Sequence, residues 1–540
     1  MAIGRLNRSN SALQKRLVAN DILSVVLEEL PRPSVYFLLA EKGDDIFPAE
    51  FFADIYTSKR GRPSIPARVI CAAMVLSFLE GTSDRETVNR LKYDLRWRVA
   101  CGLAIDADVF DFSVLSVLRA RIAASKTPDR IFTQVLEFAK TSGMTIGNKR
   151  ALDSTALLDS VETKSTLTMM RDVITEIISE AQAIGEQLDV ILPDKPNFDD
   201  KSEVKTYINE ISKISYDLIA RFENKELSSL KLTSNIRFLA VIINQDIELS
   251  EDGSSYVIKV GVAKDRVISK ADQQARHGHK SANRRFDGFK SHLASDIESN
   301  LITGATATAA NVPDKDVVSD LVSDLVSDLV EDLAIDEQDA DRDDEQDQSG
   351  QDNQPLIVGD SAYGSFGVRD ELAEKGISVI SKISPPRNRH GLYSKDAFTI
   401  DVDNQSVTCP AGHRVEIRGS GNNQKASFGD LCATCPVRQM CTRSSSGRTV
   451  SIHPREEELR QLREQQSDPD YKATYNTIRS FSERINARLT KVYWGGRKTR
   501  YRGLDKARAN VLLRATALNL LVIASFIVRT EESGLTNATT

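Results

Sequence analysis

The sequence predicts an α/β fold: a mixed β-sheet core with flanking helices, preceded by an all-helical domain and carrying insertions. Two short apolar runs carry the sheet. In "RALDSTALL" and "PLIVGDSAYG", buried-strand patterns are broken by an acid, Asp153 in the first and Asp360 in the second. Helical spacing dominates residues 1–145 and most of the last hundred residues. At 540 residues the chain exceeds one ordinary domain, and two to four units are expected.

The helical start is punctuated by recognisable signals. "GRPSIPARVICAAMVLSFLEG" opens after Pro63 and Pro66 and closes at Gly81, and Ser83 with Glu86 forms a capping box for the next helix. Ser113 is read as the cap of "VLSVLRARIA". Arg85, Arg90, Lys92, Arg96, Arg98, Arg119 and Arg121 suit either a DNA-binding helical domain or a packed bundle. Residues 146–300 form the first part of the sheet core, with a helical insertion at about 161–230. Strands are expected at "IRFLAVII" and "SYVIKVGVA", and a hairpin over "RFDGFKSHLASDIESNLITGATATAAN" with "DIESN" as its turn.

Residues 311–354 hold a tetrapeptide repeat, "VSDLVSDLVSDLVEDL", followed by an acidic tail expected to be disordered. The repeat places Val318, Leu321, Val322, Leu325, Val326, Leu329, Val330 and Leu333 on one helix face. It is read as expansion of a tolerant surface helix, with a dimerising helix as the alternative. Residues 355–400 resume the core, 401–450 are cysteine-bearing, and 451–530 carry the closing helices.

Composition narrows the function. With 40% hydrophobic and 27% charged residues the chain reads as soluble and globular. "LNLLVIASFIV" is about half the roughly 20 residues that a membrane span needs and is read as a core helix. The N-terminal stretch lacks the apolar core of a signal peptide, so a cytoplasmic protein without a membrane partner is expected. Charge is segregated. Between Glu331 and Asp347 ten acids face Arg342 alone, whereas between Tyr471 and Asn510 eleven Lys or Arg face Glu483 and Asp505. A basic block in an acidic chain suits a polyanion such as nucleic acid.

A carboxylate at a buried strand end is costly unless it is bonded, paired or bound to a cation. Asp360 has a plain alternative as a turn cap, and Asp153 as an Asx-turn acceptor. Two such acids at the ends of adjacent strands would repel one another unless a divalent cation lay between them, and hard oxygen donors select Mg2+ or Mn2+. In "YNTIRSFSERINARLTK" the single acid is Glu483, a third ligand for a two-metal phosphodiester site or else an intrahelical partner of its arginines.

On these motifs the chain resembles the bacterial insertion-sequence transposases of the DDE class, with an RNase H-like core. "GRPSIPARV", "LDSTALLDS", "GDSAYG" and "IRSFSERINARL…RYRGLDKARANVLLRATALNLLVI" carry the resemblance, which spans almost the whole chain. "CPAGH…CATCPVRQMC" is similar to the subgroup named for insertion sequence eleven-eighty-two. The resemblance implies Asp153, Asp360 and Glu483 as the metal-binding triad, with Arg479 one turn before the glutamate facing a phosphate. Tyr475 and Lys491 each sit one residue outside the family's spacing. It also implies binding of terminal inverted repeats, hydrolysis at the element ends, transfer of the 3′-hydroxyl to target DNA, and a homodimer or higher multimer on DNA. A repressor descended from a transposase, or a nuclease without strand transfer, are the alternatives.

Cys409, Cys432, Cys435 and Cys441 form C-x22-C-x2-C-x5-C, a possible structural Zn2+ knuckle with His413 as a substitute ligand; four free thiols are the plain alternative. Cys71 and Cys101 lie in apolar helical runs and are core residues. Lys280 and Lys290 in "ARHGHKSANRRFDGFK", and Arg497, Lys498, Arg500 and Arg502 in "VYWGGRKTRYRG", are candidate DNA contacts, the latter interleaved with Tyr493, Trp494 and Tyr501.

Overall fold

The computed structural model describes residues 22–55, 65–159, 163–223, 225, 227–261, 263–281, 284–326, 354–383, 386, 391–491 and 496–538. The last repeat copies, the acidic tail, Tyr493 and Trp494 lie outside these residues. The chain forms two compact units: Met1–Gly147 with Asp153–Arg342 and Glu483–Thr540, and Asn148–Leu152 with Asp343–Ser482.

The first unit opens with α1 (Val35–Ile46), α2 (Ala67–Glu80), α3 (Asp84–Tyr93), α4 (Leu95–Ala100), α5 (Ser113–Ala123) and α6 (Arg130–Thr141). Helix α2 is apolar on almost every side and is buried nearly throughout, which makes it the centre of the bundle. It ends at Gly81, whose φ of 71° is the left-handed conformation that closes a helix. Ser83 accepts from the Glu86 amide at 3.2 Å, as the capping box requires. Ser113 is not the cap of α5; it is the first helical residue, and Asp111 Oδ1 accepts its amide at 2.9 Å.

The arginines of this bundle have partners within it. Arg90 pairs with Glu86, Arg96 with Asp94 and Arg119 with Asp84. Arg98 and Arg121 donate to the carbonyls of Ala104 and Ile55, and Arg85 lies over the Phe112 ring. These contacts fit a packed bundle, and Arg85, Arg96 and Arg121 stay exposed on its surface. Cys71 and Cys101 are fully buried, and burial pushes both thiols up.

Strand β1 (Lys149–Leu158) follows, then α7 (Thr166–Ala183), α8 (Lys201–Phe222) and α9 (Leu230–Asp246). The α9 segment contains "IRFLAVII", expected as a strand. Burial of Leu232, Ile236, Leu239 and Ile243 at helical spacing against α7 and α8, with Ser229 capping Leu232, overrides the β-preference of its branched residues. The insertion is therefore three helices with their own apolar core. A short hairpin, β2 (Ile247–Leu249) and β3 (Tyr256–Ile258), closes it.

Three antiparallel strands come next: β4 (Arg276–Ser281), β5 (Arg284–Asp296) and β6 (Ile302–Ala309), both neighbours pairing with β5. The β5–β6 hairpin turns through 297–301, as expected from "DIESN". Gly288, at φ 133°, lies so close to the end of β1 that a Cβ would stand 2.6 Å from the Leu157 carbonyl oxygen.

The repeat begins as α10 (Val318–Leu321), and the surface-helix reading fails here. Val318, Leu321, Val322 and Leu325 are all buried, and α10 packs on β5 and β6. The Leu321 carbonyl rests on Gly304 of β6, where no side chain would fit. At these four positions the apolar face is a core face.

In the second unit β7 (Leu356–Gly359) runs parallel to the start of β1, pairing Lys149 with Leu356, Arg150 with Ile357 and Ala151 with Val358. Beyond it lie α11 (Phe366–Glu374) and β8 (Ser378–Ser381), the latter parallel to β7. Five short strands follow: β9 (Thr399–Asp401), β10 (Ser406–Thr408), β11 (Arg414–Glu416), β12 (Lys425–Ser427) and β13 (Thr449–Ser451). They enclose a small core of Phe398, Val407, Ala426, Phe428, Val450 and Ile452 with Cys432 and Cys441. Helices α12 (Glu456–Gln465) and α13 (Pro469–Leu489) follow, the second running on into the first unit.

The chain ends in α14 (Leu504–Ala538). By length and composition alone its Leu504–Ser533 stretch is apolar enough to cross a membrane. Leu513, Ala517, Leu520 and Ile523 are instead buried in the bundle core with α2 and α6, as a core helix requires. Asn519 on α14 clamps the start of β6, its amide accepting from and donating to the backbone of Ile302 at 2.8 Å each way. The whole is a mixed α/β protein with parallel and antiparallel strand pairing.

Candidate active site

Asp153 sits midway along β1, where apolar residues at 151, 152 and 157 bury the strand. Its side chain is only 6% exposed. One carboxylate oxygen accepts from the Ser154 amide at 3.0 Å and the other from Asn486 Nδ2 at 2.6 Å. Asn486 comes from α13, whose Ile478, Phe481, Ile485 and Leu489 form the buried stripe that docks the helix. Glu483 is exposed one turn earlier on that helix, so the i, i+3 spacing sets Glu483 and Asn486 on adjoining positions of one side. The Asn486 amide oxygen is buried and accepts no hydrogen bond among the described residues. A buried acceptor left so costs roughly 1–3 kcal/mol.

A second network stands beside Asp153. The Ser154 hydroxyl donates to Asp314 Oδ2 at 2.6 Å, and Lys290 Nζ donates to Asp314 Oδ1 and to the Val312 carbonyl, each at 2.7 Å. Burial pushes the Asp314 carboxyl up, but the Lys290 ammonium and the Ser154 hydroxyl outweigh it and hold the group below the usual carboxylate range. His292, fully buried, shares its Nε2 with Thr308 Oγ1 at 2.8 Å; burial pulls its pKa down to about 4, so the imidazole is neutral near pH 7.

The basic segment after α13 is tied to the end of β1. The Leu158 amide donates to the Arg497 carbonyl at 2.7 Å, and the Thr499 amide to the Leu158 carbonyl at 2.8 Å. Arg497, Lys498 and Arg502 are exposed, as are Lys491 and, on β4, Lys280. Two other candidate DNA contacts are occupied within the fold. Lys290 is committed to Asp314 and Val312, while Arg500 donates to the Thr82 carbonyl at 2.8 Å and lies over the Phe78 ring.

In the second unit Asp360 directly follows β7 and is half-buried. Its Oδ1 accepts from the Ala362 amide at 2.9 Å, so it does cap the "SAYG" turn. Arg479 is half-buried on α13.

The four clustered cysteines and His413 line one small cavity. The Cys409 turn is closed by Gly412 donating to the Cys409 carbonyl at 2.9 Å, and the Arg448 amide donates to Cys432 Sγ at 3.4 Å. Burial pushes the Cys441 thiol up, Arg448 opposes this, and Cys432, Cys409 and Cys435 add to the rise. Among the described residues no three His, Cys, Asp or Glu side chains form a ready-made metal-ligand group.

Sequence reasoning missed Asn486, Asp314 and Arg514. Arg514 on α14 is almost fully buried and donates to the carbonyls of Leu489, Gly496 and Lys498, the end of α13 and the basic segment after it. A polar residue inside the apolar run "VLLRATALNLL" was the one available signal.

Residues 257–520 match the family model described as Transposase DDE domain, and residues 27–121 match the one described as Transposase domain (DUF772). Asp360 and Glu483 fall inside the first match and Asp153 precedes it. No curated protein matches the chain. Among solved structures it is similar to the piggyBac transposase synaptic complex with hairpin DNA, at 9% identity over 93% of this chain and 77% of that one, with a TM-score of 0.31. Over these two stretches the chain is similar to the transposase DDE domain and to the transposase domain DUF772.

Proposed function

We propose that this protein is an insertion-sequence DDE transposase that binds the terminal inverted repeats of its own element, hydrolyses phosphodiesters there and joins the freed 3′-hydroxyl to target DNA. Asp153, Asp360 and Glu483 are the carboxylates of the site. The observation that carries this reading is the buried Asp153 carboxylate held at 2.6 Å by Asn486, one helical turn from Glu483. Strand register supports the third member. Ala151 pairs with Val358, and each aspartate lies two residues further along its own strand direction. Parallel pairing of β1, β7 and β8 with antiparallel pairing of β4, β5 and β6 suits an RNase H-like core.

All three side chains offer hard oxygen donors, the set that fits Mg2+ or Mn2+. Bound there, such ions supply activation of water or the 3′-hydroxyl and stabilisation of the leaving oxygen. The chain's own part is to fix the carboxylates: Asn486 and the Ser154 amide hold Asp153, and the Ala362 amide holds Asp360. Arg497 and Lys498, pinned beside the end of β1, neutralise the DNA backbone, with Lys491, Arg502, Lys280 and Arg479 as further contacts. A multimer on DNA and a nucleoid-associated, cytoplasmic protein follow from this reading.

The cysteine cavity is a structural Zn2+ site in this reading. The donor chemistry fits: Cys409, Cys432, Cys435 and Cys441 line one small cavity with His413, the thiol and imidazole donors that suit Zn2+. The same motif favours the subgroup named for insertion sequence eleven-eighty-two.

The test is Mg2+- or Mn2+-dependent cleavage of DNA carrying the element ends, for the wild type and Asp360→Ala. Cleavage by the wild type that is lost in the variant, with end binding kept, is expected. Binding without cleavage by either protein overturns the enzymatic reading in favour of a repressor. Cleavage without joining to added target DNA reduces it to a nuclease.

A further inference from the structure

We propose that Asn486 is itself a ligand of the cation site around Asp153, contributing its amide oxygen. The inference rests on the metal-dependent reading above and extends it to a residue outside the three carboxylates. Asn486 Nδ2 donates to Asp153 Oδ2 at 2.6 Å, while Oδ1 is buried without a hydrogen-bond donor. Buried acceptors in native proteins are almost always satisfied. Among the described residues the Ser154 hydroxyl and the Lys290 ammonium serve Asp314, the Ser482 hydroxyl serves the Ile478 carbonyl, and none of them donates to Asn486 Oδ1. Turning the amide over brings no relief. Oδ1 would then meet Asp153 Oδ2 at the same short separation, two acceptors face to face, which needs a shared proton or a cation bound to both from one side. Both orientations leave an oxygen that needs a positive partner beside a buried carboxylate.

The surroundings select the partner. An amide carbonyl and a carboxylate, with Glu483 one turn away on the same helix, form a hard oxygen set suited to Mg2+ or Mn2+. The geometry also explains why a short amide occupies position 486. It reaches Asp153 without adding a further negative charge to a site that already gathers carboxylates.

The test uses the full chain without DNA, and Mn2+ binding followed by electron paramagnetic resonance, with circular dichroism as the check on folding. Mn2+ is chosen because the soft thiols of the cysteine cavity compete poorly for it. Asn486→Ala is expected to weaken Mn2+ binding by about tenfold or more, the scale on which a metal site answers to loss of a supporting residue. Asn486→Asp, which keeps an oxygen donor and adds charge, is expected to bind Mn2+ at least as tightly as the wild type. Asp153→Ala is expected to lose the site.

Wild-type Mn2+ affinity in folded Asn486→Ala, with loss in Asp153→Ala, overturns the ligand role and leaves the metal reading standing. Weakened binding in Asn486→Asp as well as in Asn486→Ala reduces the residue to positioning Asp153 by its N–H. Unchanged binding in Asp153→Ala, or none in the wild type, overturns the metal reading together with this extension.

Discussion

Arg514 reaches from the core helix α14 to donate to the Gly496 carbonyl at 2.7 Å, and the same guanidinium serves Leu489 and Lys498. One buried cation thus fixes both the end of the helix that carries Glu483 and Asn486 and the start of the basic segment beside β1. Burial pulls the guanidinium down to about 10, yet it stays charged at any physiological pH. Arg514→Ala leaves three carbonyls without their donor and opens a cavity, a loss of about 3–5 kcal/mol. Thermal denaturation should show a lowered midpoint for the first unit. Arg514→Lys, which cannot fork to several carbonyls, should recover only part of it.

The Lys290–Asp314 pair is nearly buried, with side chains 16% and 11% exposed. Breaking it from one side strands a charge. Asp314→Asn and Lys290→Met should each cost about 3–5 kcal/mol, whereas the double replacement Lys290→Met with Asp314→Leu should cost less than the sum of the single ones. Urea denaturation of the four proteins measures this coupling. Because Asp314 also receives the Ser154 hydroxyl, Asp314→Asn should lower DNA cleavage at temperatures where the variant is still folded.

His292 gives the protein an acid-side weakness. Its folded pKa of about 4 lies below the ordinary value of 6.5, so the unfolded chain takes up the proton first. The stability associated with the neutral ring is full above pH 6.5 and is lost as pH falls towards 4, on the order of 3 kcal/mol in all. Asp314, held below the usual carboxylate range, adds a further loss only as pH falls below about 4. Denaturation midpoints of the wild type and His292→Gln across this window should diverge, with the variant nearly flat between pH 6.5 and 4 apart from its remaining groups. Parallel curves would remove His292 from the explanation.

Much of this was legible in the sequence, and the parts that were not share a cause. The strands carrying Asp153 and Asp360 showed because a buried strand leaves an uninterrupted apolar run, against which one acid is conspicuous. The Ser83 cap showed because its partner is three residues away. Asn486 did not show, because its partner Asp153 is 333 residues distant and an asparagine on an amphipathic helix has no local mark. The α9 segment misled because branched residues at 236, 242 and 243 favour a strand locally, while α7 and α8 offered a surface that only a helix could cover. The repeat announced an apolar face but not what covers it. Spacing defines the face of Val318, Leu321, Val322 and Leu325, and tertiary packing on β6 decides that it is buried.

The basic residues divide into two groups that DNA binding should separate. Arg497 and Lys498 are exposed and held beside the end of β1 by backbone bonds to Leu158, so their charges stand ready to meet phosphate without any cost to the fold. Removing either charge should reduce the slope of log affinity against log salt by roughly 0.9 and weaken binding about equally on any sequence. Arg500 is held by Thr82 and Phe78 in the bundle. Arg500→Ala should therefore lower the melting midpoint while leaving the salt slope of the folded protein unchanged. Titrating end DNA at several salt concentrations with Arg497→Ala, Lys498→Ala and Arg500→Ala tests the division. A reduced slope for Arg500→Ala, or an unchanged one for the first two, would reverse the assignment of packing and binding roles along this segment.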